Sequence, residues 1–178
     1  MIIFVDMDNV TAMLLPDWIA SYNKRFNDDF DWTTVDRWKF FEQMKPGVEP
    51  LVWRALEDAA LFAGLKPVEG AINGINTLLD LGHDVYLLST AANYHLEIIC
   101  GKKMWIQKYL PRIWAENRYI FNQHKHLNRG DVLFDDYTGN LKAFDGMSVA
   151  MNTKWNQDWK GERVFTWPEF IEFINSII

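Results

Sequence analysis

The sequence contains a single cysteine, Cys100, which excludes an internal disulfide and is typical of a reducing compartment. It has no apolar run long enough to span a membrane. The first residues lack a basic flank and a cleavage site, so we expect no signal peptide. No block of Lys and Arg stands out, and the net charge of -6 argues against binding a nucleic-acid polymer. We therefore expect a cytoplasmic protein with no membrane partner.

Aromatic residues, by contrast, are abundant, with nine Trp and twelve Phe among 178 residues. Aromatic side chains most often fill a core, although they also stack on sugars and bases. The hydrophobic content of 49% and the charged content of 24% are those of an ordinary globular protein. A chain of this length is suited to one domain with a small insertion.

Apolar runs that alternate with helical patterns predict an α/β fold. We predict strands at residues 2–6, 84–88, 119–121, 132–134, 148–151 and 163–165, and helices at 70–81, at 96–110 and after Thr166. This order favours a doubly wound, Rossmann-like parallel sheet. The helical, aromatic stretch before the second strand is too long for a simple crossover. We therefore predict a core formed by residues 1–14 and 66–178, with a small helical cap inserted at 15–65.

Pairs of polar residues follow three of the predicted strands. They are Asp6 and Asp8, Ser89 and Thr90, and Asp135 and Asp136. Each pair alone has an ordinary explanation, since aspartates begin turns and a serine caps a helix. Because parallel strands point their carboxyl ends to one edge, we expect the three pairs to converge there, where ligands bind. Two aspartates that close repel each other unless a cation lies between them or one is protonated.

This arrangement resembles the haloacid dehalogenase-like phosphohydrolase superfamily. Its first motif, Asp-x-Asp-x-Val/Thr, matches the Asp-Met-Asp-Asn-Val of residues 6–10. Its second motif, a Ser or Thr after an apolar strand, matches Ser89, and its final acidic pair matches Asp135 and Asp136. The order and spacing of these motifs cover nearly the whole chain, with the insertion where such enzymes carry a helical cap.

Within that superfamily, the chain resembles the 5′(3′)-deoxyribonucleotidases of the cytosolic type C. Residues 102–110, Lys-Lys-Met-Trp-Ile-Gln-Lys-Tyr-Leu, are similar to the family's Lys-x-x-Trp-Val-x-x-x-Leu helix. Lys125 precedes Asp136 by eleven residues, the separation between the family's phosphate-binding lysine and its metal-binding aspartate. The chain departs from the family at Asn9, where glycine is usual, and at Leu14, where a base-stacking phenylalanine is general.

The resemblance implies a Mg²⁺-dependent hydrolase of phosphomonoesters. Asp6 would be the nucleophile that forms an aspartyl-phosphate, and Asp8 would be the general acid and base. The carboxylates of Asp6 and Asp136 and the main-chain carbonyl of Asp8 would hold Mg²⁺, a hard cation that prefers oxygen ligands. Asp135 would orient this shell, and Lys125 would bind the phosphate.

Further substrate contacts are expected from the second strand end and from the cap. Ser89 and Thr90 would hydrogen-bond the phosphate. Lys102 is a second candidate for the phosphate ligand, although a lysine on an amphipathic helix more often faces solvent. Four apolar cap residues are candidates to pack on a base and deoxyribose, with core packing as the alternative for each. They are Phe40, Phe41, Trp53 and Leu61.

The expected substrate is a small phosphomonoester, with a nucleoside monophosphate favoured. A phosphatase for another small ester, such as a sugar phosphate, would use the same aspartates and is the nearer alternative. A non-enzymatic phospho-acceptor regulator also places an acidic cluster and a lysine at a sheet edge, but it lacks a cap. The sequence leaves the oligomeric state open.

Overall fold

The computed structural model describes residues 1–91 and 95–178. The strands of the described residues are β1 (Ile2–Val5), β2 (Asp84–Ser89), β3 (Tyr119–Phe121), β4 (Val132–Asp135), β5 (Met147–Met151) and β6 (Glu162–Val164). They form one parallel sheet in the order β3-β2-β1-β4-β5-β6. Each predicted strand matches an observed one within one residue at either end. The prediction of a doubly wound parallel α/β sheet is confirmed.

Both faces of the sheet are covered, which explains the continuous apolar run in β1. Ile3 and Val5 belong to the large buried cluster on one face. Phe4 points to the other face, where it packs with Leu88 and Phe144 in a second buried cluster. A strand buried on both faces needs apolar residues at every position instead of an alternating pattern.

The helices between and after the strands are α4 (Ala71–Asp80), α5 (Leu96–Tyr109), α6 (Pro111–Ala115), α7 (Thr138–Ala143) and α8 (Trp167–Ser176). The predicted helices at 70–81 and 96–110 are therefore confirmed. Trp167, at the start of α8, is fully buried and donates its indole N–H to the Val10 carbonyl at 2.8 Å. This bond fixes the loop after β1. Among the described helices, none is both long and apolar enough to cross a membrane.

Short helices form the segment between β1 and α4. They are α1 (Leu14–Phe26), 3-10 turns at Trp32–Thr34 and Phe40–Gln43, α2 (Glu49–Arg54) and α3 (Ala59–Gly64). Trp18 of α1 joins them, because its indole donates to the Val52 carbonyl at 2.7 Å and its ring lies edge-on to Phe40. Buried side chains of this segment share one cluster with the sheet. Burial therefore does not separate the predicted core at 1–14 and 66–178 from the predicted cap at 15–65, and this division stays a prediction.

The strand order reverses at β1, which lies between β2 and β4. The Asp6 amide donates to the Phe134 carbonyl at 2.8 Å, so the chain leaves β1 directly beside the end of β4. In open α/β sheets, ligands bind in the crevice at such a reversal, beyond the carboxyl ends of the strands. The fold thus brings the predicted polar pairs to one place.

Candidate active site

Three buried carboxylates meet at the sheet edge. Asp6 follows β1, Asp135 ends β4 and Asp136 follows it; each is at most 5% exposed. One carboxylate oxygen from each lies within 4.8 Å of the others. Like charges at this separation repel strongly, so the cluster needs positive charge among or beside it.

Lys125 supplies part of that charge. It opens the 3-10 turn Lys125–Leu127 after β3, is 2% exposed, and donates to Asp6 Oδ1 at 2.5 Å and to Asp135 Oδ2 at 2.7 Å. Burial lowers the pKa of Lys125, but Asp135 and Asp6 outweigh burial and raise the pKa above its ordinary value. An ammonium has three N–H donors, and the third has no acceptor among the described residues. Lys125 therefore keeps one donor without an acceptor among the described residues, and its role as a phosphate ligand stays a prediction.

Asp135 is committed to protein hydrogen bonds. Its Oδ1 accepts from the Tyr137 amide at 2.8 Å, and its Oδ2 accepts from Lys125 and from Asn140 Nδ2 at 3.0 Å. Both oxygens are therefore occupied, which favours an orienting role over a metal-binding one. The supporting role predicted for Asp135 stays a prediction that this geometry favours.

Asp136 is held from one side only. Its Oδ2 accepts from the Trp155 indole at 3.1 Å, and its main-chain carbonyl accepts from Asn156 Nδ2 at 3.0 Å. Its Oδ1 has no donor among the described residues. Burial, and then the charges of Asp6 and Asp135, raise the pKa of Asp136 well above its ordinary value. Nearby positive charge would relieve this repulsion.

Lys102 and Asp8 form a second ion pair in the site. Lys102 lies on α5, is 1% exposed and does not face solvent. Its Nζ donates to Asp8 Oδ2 at 2.6 Å, to Ser89 Oγ at 2.8 Å and to the Thr90 carbonyl at 2.6 Å. Burial raises the pKa of Asp8 above its ordinary value, although Lys102 opposes the shift. Asp8 Oδ1 is buried with no hydrogen-bond partner among the described residues.

Asn9 explains how the chain turns after Asp8. Its φ is +59°, in the left-handed region that asparagine and glycine adopt more readily than other residues. Its Oδ1 accepts from the Leu15 amide at 2.9 Å, which satisfies a donor in the first turn of α1. Asn9 therefore adopts a conformation that glycine would also allow, and its side chain adds a contact to the next helix.

A cavity of about 510 Å³ opens onto these carboxylates and lysines. The carboxylates and lysines come from the sheet edge and from α5, and apolar side chains from the short helices form much of the rest of its wall, which also includes Arg37. That wall includes Leu14, Leu15, Trp18, Phe40, Trp53 and Phe62. The cavity therefore joins a charged end, suited to phosphate, to an apolar end, suited to a flat or cyclic group.

Two of the four predicted cap residues line the cavity. Phe40 is 4% exposed and Trp53 is 37% exposed, so Trp53 is the more accessible of the two. Phe41 packs against both rings, with centroids 6.2 Å and 6.3 Å away. Leu61 packs against the buried core cluster. Phe41 and Leu61 thus fit the core-packing alternative.

Several cavity residues were not singled out by the sequence analysis. They include Leu15, Trp18, Arg37, Gln123, Asn140 and Trp155. Trp18 lies four residues after Leu14 on α1, so helical periodicity places both on one face. Gln123 stands two residues before Lys125, and that proximity was a usable signal. Trp155 lies far from every motif in sequence, and no local pattern indicates its contact with Asp136.

The donor set and the charge balance both fit a divalent cation. Asp6, Asp8, Asp135 and Asp136 carry four negative charges when ionised, whereas Lys102 and Lys125 carry two positive ones. The carboxylates therefore carry an excess of negative charge that a hard divalent ion would offset. Asp6 Oδ2 and Asp136 Oδ1 both lack a hydrogen-bond donor among the described residues, so each has an oxygen available for it.

Comparison of the sequence with known proteins shows the family to which the chain belongs. Residues 1–177 match the family model described as 5′ nucleotidase, deoxy (pyrimidine), cytosolic type C protein. A 5′(3′)-deoxyribonucleotidase of Bacillus subtilis is 30% identical over 172 residues, which cover 94% of this chain and 95% of that protein. The match therefore extends over nearly the full length of both chains.

Solved structures share the fold. A hydrolase from Pseudomonas syringae superposes with a TM-score of 0.61 at 8% identity and full coverage of both chains. A Bacillus subtilis protein assigned to the haloacid dehalogenase hydrolases, solved bound to magnesium, superposes with a TM-score of 0.52 at 11% identity over 98% of each chain. The chain belongs to the family of cytosolic type C deoxy (pyrimidine) 5′ nucleotidases and is a phosphatase with the haloacid dehalogenase fold.

Proposed function

We propose that this phosphatase hydrolyses (deoxy)nucleoside 5′-monophosphates. The observation that carries the proposal is the single cavity in which the carboxylate and lysine cluster continues into an apolar, aromatic wall. A phosphate fits the charged end, and a nucleoside fits the apolar end, where an aromatic ring can stack on a base. The relatives named as deoxyribonucleotidases support the same substrate class.

We propose Mg²⁺ as the cofactor. The carboxylates of Asp6 and Asp136 and the main-chain carbonyl of Asp8 would hold it, and Asp135 would orient the shell through its bonds to Lys125 and Tyr137. When bound, the ion would draw negative charge from the phosphate oxygens. The magnesium-bound structural neighbour and the buried acidic cluster support this assignment.

The residues of the chain would carry out two displacement steps. In the first, a carboxylate oxygen of Asp6 forms a bond to phosphorus while the bond from phosphorus to the nucleoside oxygen breaks. Asp8 gives its proton to that leaving oxygen. In the second, Asp8 takes a proton from a water molecule that attacks the aspartyl-phosphate, which restores the Asp6 carboxylate and releases phosphate. The raised pKa of Asp8 suits a group that must hold a proton before the first step.

The remaining polar groups would bind the phosphate. Lys125 has a donor left after its bonds to Asp6 and Asp135, which supports it as the lysine that contacts the phosphate. The Ser89 oxygen accepts from Lys102, which leaves its hydroxyl hydrogen as a donor, although Ser89 is 1% exposed and is not among the residues that line the cavity. Thr90 lines the cavity and is the second candidate at this strand end.

A substrate panel tests the proposal. The purified protein is assayed on deoxynucleoside and nucleoside 5′-monophosphates, several sugar phosphates and para-nitrophenyl phosphate, with Mg²⁺ and with a chelator. We expect the nucleotides to be hydrolysed fastest and the chelator to abolish turnover. A preference for sugar phosphates over every nucleotide would refute the nucleotidase assignment, and full activity in chelator would refute the metal assignment. The cytoplasmic location stays a prediction.

A further inference from the structure

Lys102 is a charged side chain that the proposed chemistry leaves without a task. It is almost completely buried, and it sits on α5 against the cap helix α3, with its ammonium 5.3 Å from the centre of the Phe62 ring. Taking an ammonium out of water is costly, so a buried lysine needs partners that compensate for its lost hydration. The identity of those partners indicates what Lys102 does.

All three ammonium hydrogens of Lys102 are already used within the protein. Its acceptors are Asp8 Oδ2 at 2.6 Å, Ser89 Oγ at 2.8 Å and the Thr90 carbonyl at 2.6 Å. An ammonium has three donors and no acceptor, so no donor is left for a phosphate oxygen. Lys125 differs in this respect, because among the described residues it bonds to two acceptors and keeps one donor.

The bond from Lys102 also distinguishes the two oxygens of Asp8. Lys102 holds Oδ2, whereas Oδ1 is buried and has no partner among the described residues. The Asp8 side chain as a whole is 21% exposed and lines the cavity, so the bond to Lys102 fixes how its carboxyl is turned toward the cavity.

We infer that Lys102 is a positioning residue that fixes the Asp8 carboxyl for proton transfer to the leaving oxygen, and that it is not a ligand of the phosphate. This inference rests on the proposed function, because it takes Asp8 as the general acid and base. The bond to Ser89 Oγ has a parallel effect, since it turns the serine hydroxyl into a donor directed away from Lys102.

The dependence on the leaving group provides the test. A nucleoside oxygen is a poor leaving group and needs a proton from Asp8, whereas para-nitrophenolate leaves without one. In the Lys102→Met variant we expect kcat/KM for a nucleoside 5′-monophosphate to fall by about a hundredfold or more, the range of general acid catalysis. With para-nitrophenyl phosphate we expect a rapid burst of para-nitrophenolate equal to the enzyme concentration, followed by slow turnover, because only the second step then needs Asp8.

Two further variants serve as controls. Lys103→Met removes the next lysine on α5, whose ammonium lies near the Tyr119 ring, and should leave both substrates unchanged. Lys102→Arg keeps the charge, but a guanidinium cannot reproduce the three bonds of a compact ammonium. We therefore expect the same selective loss of kcat/KM for the nucleotide, with a smaller fold-change. It serves as the test if Lys102→Met does not fold, as judged by circular dichroism.

The outcomes separate this inference from the function on which it rests. If the burst rate with para-nitrophenyl phosphate falls as much as nucleotide turnover, Lys102 acts on the phosphate or on the fold, and the inference is wrong. Asp8→Asn should show the same selective pattern as Lys102→Met. If Asp8→Asn lacks that pattern, the general acid assignment itself fails. If Asp8→Asn shows it and the Lys102 variants do not, only the role of Lys102 is refuted.

Discussion

The two buried lysines divide the carboxylates of the site between them. Lys125 bonds to Asp6 and Asp135, and Lys102 bonds to Asp8. Asp136 is the one carboxylate of the four with no lysine on it, and its pKa is raised well above the ordinary value. Asp6 and Asp8 thus bond to different lysines, and in the proposed mechanism this difference in environment would separate the carboxylate that attacks from the carboxyl that carries a proton.

The role of Asp6 is tested by Asp6→Asn. We expect turnover of a nucleotide to fall by about a thousandfold or more, the scale at which enzymes lose activity with their nucleophile. The substitution also removes one charge from beside Asp135 and Asp136, so the melting temperature should stay the same or rise. Steady-state rates and thermal unfolding measure the two effects. Normal turnover in a folded variant would eliminate the covalent mechanism.

Lys125→Met probes the lysine that keeps a free donor. We expect a loss of about 3 kcal/mol of transition-state stabilisation, as for single electrostatic donors in other enzymes. Because the phosphate is common to all substrates, nucleotides and para-nitrophenyl phosphate should lose kcat/KM by the same factor. A loss confined to nucleotides would mean that Lys125 acts on the leaving group instead.

At the scale of elements, the close approach of α3 and α5 depends on Gly101. A Cβ at this position would meet the Ala59 carbonyl and lie 2.7 Å from the Phe62 Cβ. The next residue along α5 is Lys102, so this contact also sets where the lysine enters the site. A small residue is therefore needed here for packing, although glycine weakens a helix.

We expect Gly101→Ala to lower the free energy of unfolding by about 1–3 kcal/mol, the usual cost of overpacking. Gly64→Ala is the matched control, because nothing lies within 4 Å of a Cβ at the end of α3. That control should be neutral or slightly stabilising. Urea unfolding of both variants gives the comparison, and equal stabilities would show that α5 shifts freely to accept the methyl group.

The turn at Lys154–Asn156, after β5, holds the other side of the site. Asn156 is fully buried and bonds to the Asp136 carbonyl, and Arg163 Nη1 in turn donates to Asn156 Oδ1 at 2.7 Å. Trp155 donates to the Asp136 side chain itself. Groups of this kind orient carboxylates that bind metal.

Trp155→Phe should therefore weaken Mg²⁺ binding by about tenfold or more, as measured by titration calorimetry without substrate. Trp159→Phe is the control from the same loop, since the Trp159 indole donates to the Glu162 carbonyl and does not contact Asp136. We expect its Mg²⁺ affinity to be unchanged. Equal affinities in the two variants would remove Trp155 from the support of Asp136.

The strands and their polar ends were predictable because both signals are local. The run of β1 is apolar at every position, which marks it as a buried strand. Because parallel strands have their carboxyl ends at one edge of the sheet, Asp6 and Asp136 could then be predicted to lie close together. The burial of Lys102 was not predictable, because its helix has polar residues beside apolar ones and only packing against α3 decides which face is inside. The contact of Trp155 with Asp136 joins residues 19 apart through a turn that no motif marks.

At the scale of the whole molecule, we expect the segment between β1 and α4 and the sheet edge to divide recognition between them. The carboxylates and the two buried lysines lie at or beside the sheet edge, where they would act on the phosphate that all substrates share. The wall from the short helices carries the aromatic groups, including Phe40 and Trp53, so substrate preference should reside there. Remote contacts of this kind also help to orient the reacting phosphate.

Trp53→Ala tests this division. Stacking of a base on an aromatic ring is worth about 1–3 kcal/mol, so kcat/KM for a deoxynucleoside 5′-monophosphate should fall by about tenfold to a hundredfold. Activity on para-nitrophenyl phosphate should be kept, because this substrate has no base to lose. Trp32→Ala is the matched control, since Trp32 is comparably exposed, at 42% against 37%, and is not part of the cavity wall. The ring of Trp53 also lies 5.3 Å from that of Trp18. If both substrates lose activity together in Trp53→Ala while Trp32→Ala is unaffected, Trp53 supports the packing of the short helices and does not contact the base.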